Sequence, residues 1–359
     1  MSGRNSASRD RAFDRPGLSR SRAVRFPGDG LELAGEIVAP DTAGPHPAVV
    51  LLHGAGQGER EFYRVIAERF AEEGVASLIF DRRGHGESDG PRDMDLFVLG
   101  RDGAAAWRFL AGQPEVDAAR VGLWGYSNGA WVASLAANAL PDLAFLVLAG
   151  AAGVTPGRAE AYRRATDLRT QGIASNTVEA VERAWTLVFD LFSSRSVPPS
   201  LKGDLSQLAA VIQADDALEG LAIPEFVRER PELDSVPRFD HPPLNGPLDA
   251  IAGRSPDMGY DPIPTLRQLT CPTLVVLAEN DANAAPVESL ERFGAMAKSR
   301  PGVHVEMLLG ASHSFTVMPV SERDNPELLH RPLRRDEYDP RYLDLMARWL
   351  GEVTRTGIP

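Results

Sequence analysis

VGLWGYSNGAWVA, Val121 to Ala133, decides how this chain is read. Its first half is an apolar run suited to a buried strand, and its second half is built of small residues compatible with a helix. Between them stands a lone serine, Ser127, flanked at two residues' distance by Gly125 and Gly129. A bend this tight brings backbone against backbone, so both flanks need residues without a Cβ. The expected result is a sharp strand-to-helix turn that lifts the Ser127 hydroxyl out of the fold.

On the amino-terminal side, AVRF, the turn Pro27–Gly30 and LELAGEIV read as an antiparallel hairpin. PAVVLLH, ending at His53, is a continuous apolar run of the kind covered on both faces in a parallel sheet. EREFYRVIAERFAEEG then puts Phe62, Val65, Ile66 and Phe70 on one helical face and ends on Gly74, a C-cap residue. Strand and helix alternate from there: VASLIF, a helix around Asp102–Leu110, VGLWG, a helix after Ser127, and AFLVLAG. The alternation returns at TLVVLAEN (Thr273–Asn280), followed by a helix near Val287–Lys298, the strand VHVEML and a closing helix from Arg341 to about Val353. Such alternation predicts a mostly parallel sheet with helices on both faces.

From Val154 to Leu266 no strand pattern is evident. Val178, Val181, Trp185, Val188 and Phe192 recur at helical spacing, with Ser175 or Asn176 as the expected N-cap. The stretch from His241 to Pro264 is rich in proline and glycine and reads as loop, and Arg230–Pro264 is the candidate mobile part. The expected organisation is an arm over 1–22, a core over 23–153, a helical cap over 154–265 inserted between strands 6 and 7, and the rest of the core over 266–359.

The chemistry centres on Gly125-Tyr126-Ser127-Asn128-Gly129, a G-x-S-x-G pattern at the strand-to-helix junction that this motif requires. A serine hydroxyl is a weak nucleophile at neutral pH and needs a base with an orienting partner. Of the seven histidines, His313 in LLGASHSF lies past the last strand, where a loop at the carboxyl edge of the sheet reaches back to Ser127. His304 alternates with apolar residues inside a strand and is expected to face solvent, and His46, His241 and His330 sit beside prolines or arginines in loops. In AENDANAAP, Asp281 stands just past the strand end, whereas Glu279 still belongs to the strand; Asp281 is therefore the expected acid. The order nucleophile, acid, base fits this type of site. An oxyanion needs backbone N–H donors: Asn128 supplies one at the helix start, and Ala55, with Gly56 behind it, supplies the second from His53-Gly54-Ala55-Gly56-Gln57-Gly58. No G-K-[ST] follows these glycines, so the loop is not a phosphate loop.

Composition narrows the classes. A hydrophobic share of 43% supports a proper core. The net charge of -12 works against nucleic acid and anionic membrane surfaces as partners and favours a small neutral or cationic substrate. Cys271, the single cysteine, excludes an intrachain disulfide and a cysteine-based metal cluster, and reads as a buried, inert thiol starting a strand. Asp81-Arg82-Arg83-Gly84-His85-Gly86-Glu87-Ser88 carries carboxylates and a histidine, but turn residues with charged arms account for it better than a metal site does. No metal or other cofactor is called for. The first 22 residues hold six arginines and two aspartates with no apolar run and read as a disordered or loosely docked arm. No segment approaches the roughly 20 apolar residues of a membrane span, and the expected location is cytoplasmic. The oligomeric state, a homodimer included, stays open.

HGAGQG, DRRGHGES, GYSNG, AEND and GASH, in that order, resemble the serine esterases and peptidases of the α/β-hydrolase fold. QPEVDAARVGLWGYSNG (Gln113–Gly129) is similar to the stretch that precedes a helical cap in bacterial carboxylesterases, with likenesses extending to prolyl oligopeptidase-like and dienelactone hydrolase-like enzymes. The resemblance implies hydrolysis of a small-molecule ester through an acyl-enzyme on Ser127. It also admits peptide or carbon-carbon bond hydrolysis, acyl transfer, or a binding protein that keeps the fold without catalysis. Asn128 departs from relatives that carry Gln, Glu or Gly there, and the cap matches none of the known patterns.

Overall fold

The structure is a computed structural model that describes residues 19–194, 203, 255–317 and 331–356. Eight strands form one sheet in the order β1-β2-β4-β3-β5-β6-β7-β8: β1 Ser19–Pro27, β2 Glu32–Pro40, β3 His46–Leu52, β4 Ala76–Phe80, β5 Val116–Tyr126, β6 Leu146–Ala149, β7 Thr273–Asn280 and β8 Val303–Ser312. β2 runs antiparallel to β1 and β4, and every pairing from β4 through β8 is parallel. This is the expected α/β-hydrolase architecture.

The helices α1 Arg64–Glu72, α2 Leu96–Ala111, α3 Asn128–Asn138, α4 Pro156–Thr170, α5 Ser175–Ser193, α6 Pro262–Gln268, α7 Pro286–Ser299 and α8 Pro340–Thr356 complete the described regular structure with three short 3₁₀ turns. Side chains alternate between the two faces of the sheet, so neighbouring strand residues enter different cores. Val50, Leu52 and Leu123 join residues of α2, α3, α6 and α7. Val49, Leu51 and Trp124 join α1 and α8, where Ile66, Phe70, Tyr342 and Met346 are almost wholly buried. The central strands are therefore apolar on both faces.

Several boundaries differ from the sequence expectation. Residues 19–22, assigned above to the arm, are the first four of β1 and pair with β2 up to Arg22 opposite Ile37; backbone pairing holds them despite their polar side chains. The N-cap of α5 is Ala174, not Ser175 or Asn176, which both lie inside the helix. Cys271 precedes β7 by two residues; it is buried, and burial pushes its thiol upward from the ordinary value. α4 has no apolar stripe to announce it, because what it buries is mainly Gly157, Ala159, Ala161 and Ala165. Thr155 caps it by accepting from Arg158 N at 3.2 Å. Within the expected proline-rich loop, Pro256–Gly259 is a 3₁₀ turn and α6 starts at Pro262, capped by the Asp261 side chain. Residues 1–18, His241, His330 and most of Arg230–Pro264 lie outside the described residues. Among the described residues between β6 and β7 only helices and turns occur.

The order β4-β3-β5 reverses the chain's direction of travel across the sheet at β3, the switch point where the crevice of an open parallel sheet opens. The register there pairs Leu52 with Gly125. The loop after β3 and the turn after β5 are thereby neighbours.

Candidate active site

Ser127 occupies φ 54°, ψ -119°, between β5 and α3. Its N–H donates to Ala149 O at 2.8 Å and its carbonyl accepts from Ala130 N at 2.9 Å, so both backbone groups hold the apex in place. A Cβ on Gly125 would lie 2.1 Å from Gly129 O, and one on Gly129 would lie 2.3 Å from Leu52 O. The two glycines are thus required by close approach, the first within the bend and the second against the end of β3.

The loops after β7 and β8 meet this apex. His313 Nε2 lies 2.8 Å from Ser127 Oγ, and His313 Nδ1 lies 2.7 Å from Asp281 Oδ2. A carboxylate only accepts, so Nδ1 carries the imidazole proton and Nε2 is left to accept from the serine hydroxyl. Asp281 is buried, and its other oxygen accepts from Asn283 N at 2.7 Å and Ala284 N at 2.9 Å. These bonds fix which carboxylate oxygen faces the histidine. Tyr126 Oη donates to His313 O at 3.3 Å, with the two rings 5.5 Å apart. Glu279 lies within β7, exposed, and accepts from Gly310 N at 2.8 Å, away from this cluster. His304 is exposed on β8, and His46 is buried with Nε2 donating to Thr42 O at 3.2 Å.

Strain is concentrated here. Among the described residues the non-glycine residues with positive φ are Ser127, Ala285 and Phe315. Ala285 follows Asp281 at the start of α7, and Phe315 follows His313, fully buried and stacked on Tyr342 at 4.1 Å. Each of the three loops that carry Ser127, Asp281 and His313 therefore holds one residue in a conformation that L side chains disfavour.

The loop after β3 borders the apex: a Cβ on Gly54 would lie 3.0 Å from the Tyr126 ring. His53 is buried and donates from Nε2 to Phe80 O at 2.5 Å. Burial, reinforced by the Arg82 charge, pushes its pKa down to about 3; it is a neutral residue whose ring is tied to the end of β4. Gly54 N donates to Tyr63 Oη at 2.8 Å, while Ala55 and Gly56 are exposed. Among the described residues the N–H groups of Ala55 and Asn128 meet no protein acceptor. From the segment between β6 and β7, Tyr162 on α4 donates to Asp281 O at 3.5 Å, and Val154 O accepts from Trp131 Nε1 at 3.0 Å.

Tyr63 and Arg82 escaped the sequence reading, because their partners are backbone groups that leave no pattern. In the DRRGHGES turn, Asp81 accepts from Arg60 N and Glu87 N, each at 2.9 Å, and Arg83 forms a buried ion pair with Asp102. Among the described residues no group of three or more His, Cys, Asp or Glu side chains is arranged to hold a metal ion, and no helix is long and apolar enough to cross a membrane.

A serine at a strained strand-to-helix bend, hydrogen-bonded to an imidazole that a carboxylate from an earlier loop holds in turn, has the geometry that the G-x-S-x-G pattern predicts at such a junction. The Alpha/beta hydrolase family matches residues 49–327, and the chain belongs to that family. Quorum-quenching protein AidA of Acinetobacter baumannii is 35% identical over 118 residues, 32% of this chain and 39% of that protein. Thiohydrolase apmlB of Arthrinium phaeospermum is 34% identical over 141 residues, 37% of this chain and 45% of that protein. The matched regions thus span less than half the length of these curated relatives. A hypothetical protein from Pseudomonas aeruginosa superposes with a TM-score of 0.56 at 18% identity, covering 98% of this chain and 99% of the other. Proline iminopeptidase of Mycobacterium smegmatis superposes at 0.52 and 16% identity, covering 94% and 100%. These two likenesses concern the fold alone.

Proposed function

We propose that the protein hydrolyses a small-molecule carboxylic ester through an acyl-enzyme on Ser127. The observation that carries this reading is the unbroken relay from Ser127 Oγ through His313 to Asp281, at 2.8 and 2.7 Å. His313 Nε2 takes the hydroxyl proton as Oγ attacks the carbonyl, and returns it to the leaving alcohol; water then repeats the sequence on the acyl-enzyme. Asp281 holds the imidazole with its proton on Nδ1 and stabilises the imidazolium that forms. Positioned proton transfer of this kind contributes roughly 10²- to 10⁴-fold. The N–H groups of Ala55 and Asn128 are assigned to the oxyanion, each worth about 3 kcal/mol in the transition state. α4 and α5 belong to a cap whose contact with the Asp281 backbone through Tyr162 brings it to the site.

Thioesters fall within the same chemistry, and the thiohydrolase name of one relative supports including them as acyl donors. The test is Ser127→Ala assayed with p-nitrophenyl esters and acyl thioesters, beside fluorophosphonate labelling followed by intact mass. Loss of turnover and of labelling is expected. Undiminished turnover in Ser127→Ala removes Ser127 from the mechanism; labelling without turnover of any ester, thioester, amide or diketone identifies a binding protein instead.

A further inference from the structure

Arg82 and Arg83 are adjacent, yet the fold treats them in opposite ways. Arg83 has a counter-ion: its Nε and Nη2 donate to Asp102 at 2.6 and 2.7 Å. Arg82 is equally buried, but among the described residues no carboxylate pairs with it and its Nε meets no acceptor. A buried cation without a counter-ion is costly, and what it touches is the loop after β3. Nη1 donates to Gly54 O at 3.3 Å, and Nη2 donates to Ala55 O at 3.1 Å and to His85 Nε2 at 3.3 Å. The Arg82 backbone N–H donates to Gly58 O at 2.7 Å, closing the other end of the same loop.

The geometry points to Arg82 as the positioning residue of the oxyanion loop, a guanidinium fork that holds two successive carbonyls so that the Ala55 and Gly56 N–H groups face the substrate oxygen. The inference rests on the reading of Ala55 as an oxyanion donor. In a trans peptide the N–H of one residue points opposite to the carbonyl of the residue before it. Holding Gly54 O and Ala55 O on one guanidinium therefore turns the N–H groups of Ala55 and Gly56 together to the opposite side, the two-donor concavity that binds anions elsewhere. The Gly54 N–H is already spent on Tyr63 Oη, which itself donates to Gln57 O at 3.3 Å. A neutral side chain can satisfy one carbonyl. The planar fork spans two, and its charge polarises both peptides in the direction that strengthens their N–H donors.

His85 completes the clamp. Its Nδ1 donates to Arg83 O at 3.1 Å, leaving Nε2 to accept from Arg82. The ring fills the space where a Gly58 side chain would stand, since a Cβ there would lie 2.3 Å from His85 Cδ2. Burial, with the neighbouring Arg82 charge, lowers the His85 pKa and favours this neutral acceptor form.

The experiment uses the full chain with Arg82→Lys, Arg82→Gln and Arg82→Met, measuring kcat and KM on a p-nitrophenyl ester, Ki for a trifluoromethyl ketone that forms a tetrahedral adduct, and the thermal midpoint. Loss of an oxyanion donor costs about 10²- to 10³-fold in kcat, so Arg82→Met is expected to lose about 100-fold with KM changed less than about threefold. Arg82→Lys, with one reachable carbonyl, is expected between that value and the native enzyme. The Ki for the ketone is expected to rise by the factor by which kcat/KM falls, because adduct and transition state share the oxyanion. A merely structural role would lower the thermal midpoint and leave that proportionality absent. Folded Arg82→Gln or Arg82→Lys with kcat/KM and Ki both near native overturns the proposal; these two variants decide it where Arg82→Met fails to fold. Turnover that survives Ser127→Ala overturns the acyl-enzyme reading instead, so the two failures are separable.

Discussion

Replacing Asp281 by Asn tests the relay without emptying the space it fills. Oδ1 of Asp281 accepts from two backbone N–H groups, Asn283 at 2.7 Å and Ala284 at 2.9 Å, and Oδ2 faces His313 Nδ1 at 2.7 Å. An asparagine must keep its oxygen toward the two N–H donors, because turning its NH₂ toward them would set donor against donor twice. Its NH₂ then faces His313 Nδ1. The imidazole answers by moving its proton to Nε2, where it confronts the Ser127 hydroxyl and has no lone pair with which to accept its proton. The turn after β7 keeps its hydrogen bonds, so the fold is retained while the base is in the wrong tautomer. The expected loss in kcat is about 10⁴-fold, or roughly 5 kcal/mol of transition-state stabilisation. Steady-state turnover of a p-nitrophenyl ester and the rate of fluorophosphonate labelling are expected to fall together, with the thermal midpoint changed by only a few degrees. Asp281→Asn retaining more than about a tenth of native kcat would refute the reasoning, since the tautomer argument leaves no route to such a mild effect.

Gly125→Ala puts a methyl group 2.1 Å from a backbone oxygen, a clash no rotamer relieves; a loss of more than about 3 kcal/mol in urea unfolding is expected, and a change under about 1 kcal/mol would contradict the described bend. His53 supplies a pH prediction. Its folded pKa, about 3, lies below the ordinary 6.5, so the unfolded chain binds the proton first and stability falls as pH drops through that interval. Between pH 6.5 and pH 5 the expected cost from this group is about 1.6 kcal/mol, read as the difference in urea-derived stability slopes between the native chain and His53→Gln. Equal slopes would show that His53 is not held neutral by burial.

Much of this arrangement was legible in residue order because it depends on local rules. Ser127 announces itself through two glycines that a sharp bend requires, and Asp281 and His313 follow from their places just past the carboxyl ends of apolar strands. Glu279, the penultimate residue of β7, accepts from Gly310 N instead of facing the imidazole. What escaped depended on backbone partners or on small side chains. α4 buries alanines and a glycine rather than a leucine stripe, so no periodicity marks it. In sequence Arg82 is only a charged arm of a turn, because its acceptors are the carbonyls of Gly54 and Ala55, 28 and 27 residues away, which any residue type would present. His53, the first residue of the glycine-rich loop, is tied to Phe80 O, a partner visible only once β3 and β4 are neighbours.

The three strained residues link the fold to the chemistry. Ser127 itself, Ala285 after Asp281 and Phe315 after His313 hold positive φ, and a non-glycine residue in that region costs on the order of 1–3 kcal/mol. The surrounding structure offsets that cost differently in each loop. Ser127 is held by the Ala149 and Ala130 backbone, Ala285 by the Ser289 N–H that donates to its carbonyl at 2.8 Å, and Phe315 by stacking on Tyr342 and by the Asp339 N–H that donates to its carbonyl at 2.7 Å. Tyr342 lies on α8, which packs on the face of the sheet opposite α3. The position of the His313 imidazole is therefore set partly from beneath the sheet, through a closing helix that contributes no atom to the site. A cavity cut at Tyr342 would release Phe315 first and, through it, the distance from His313 to Ser127.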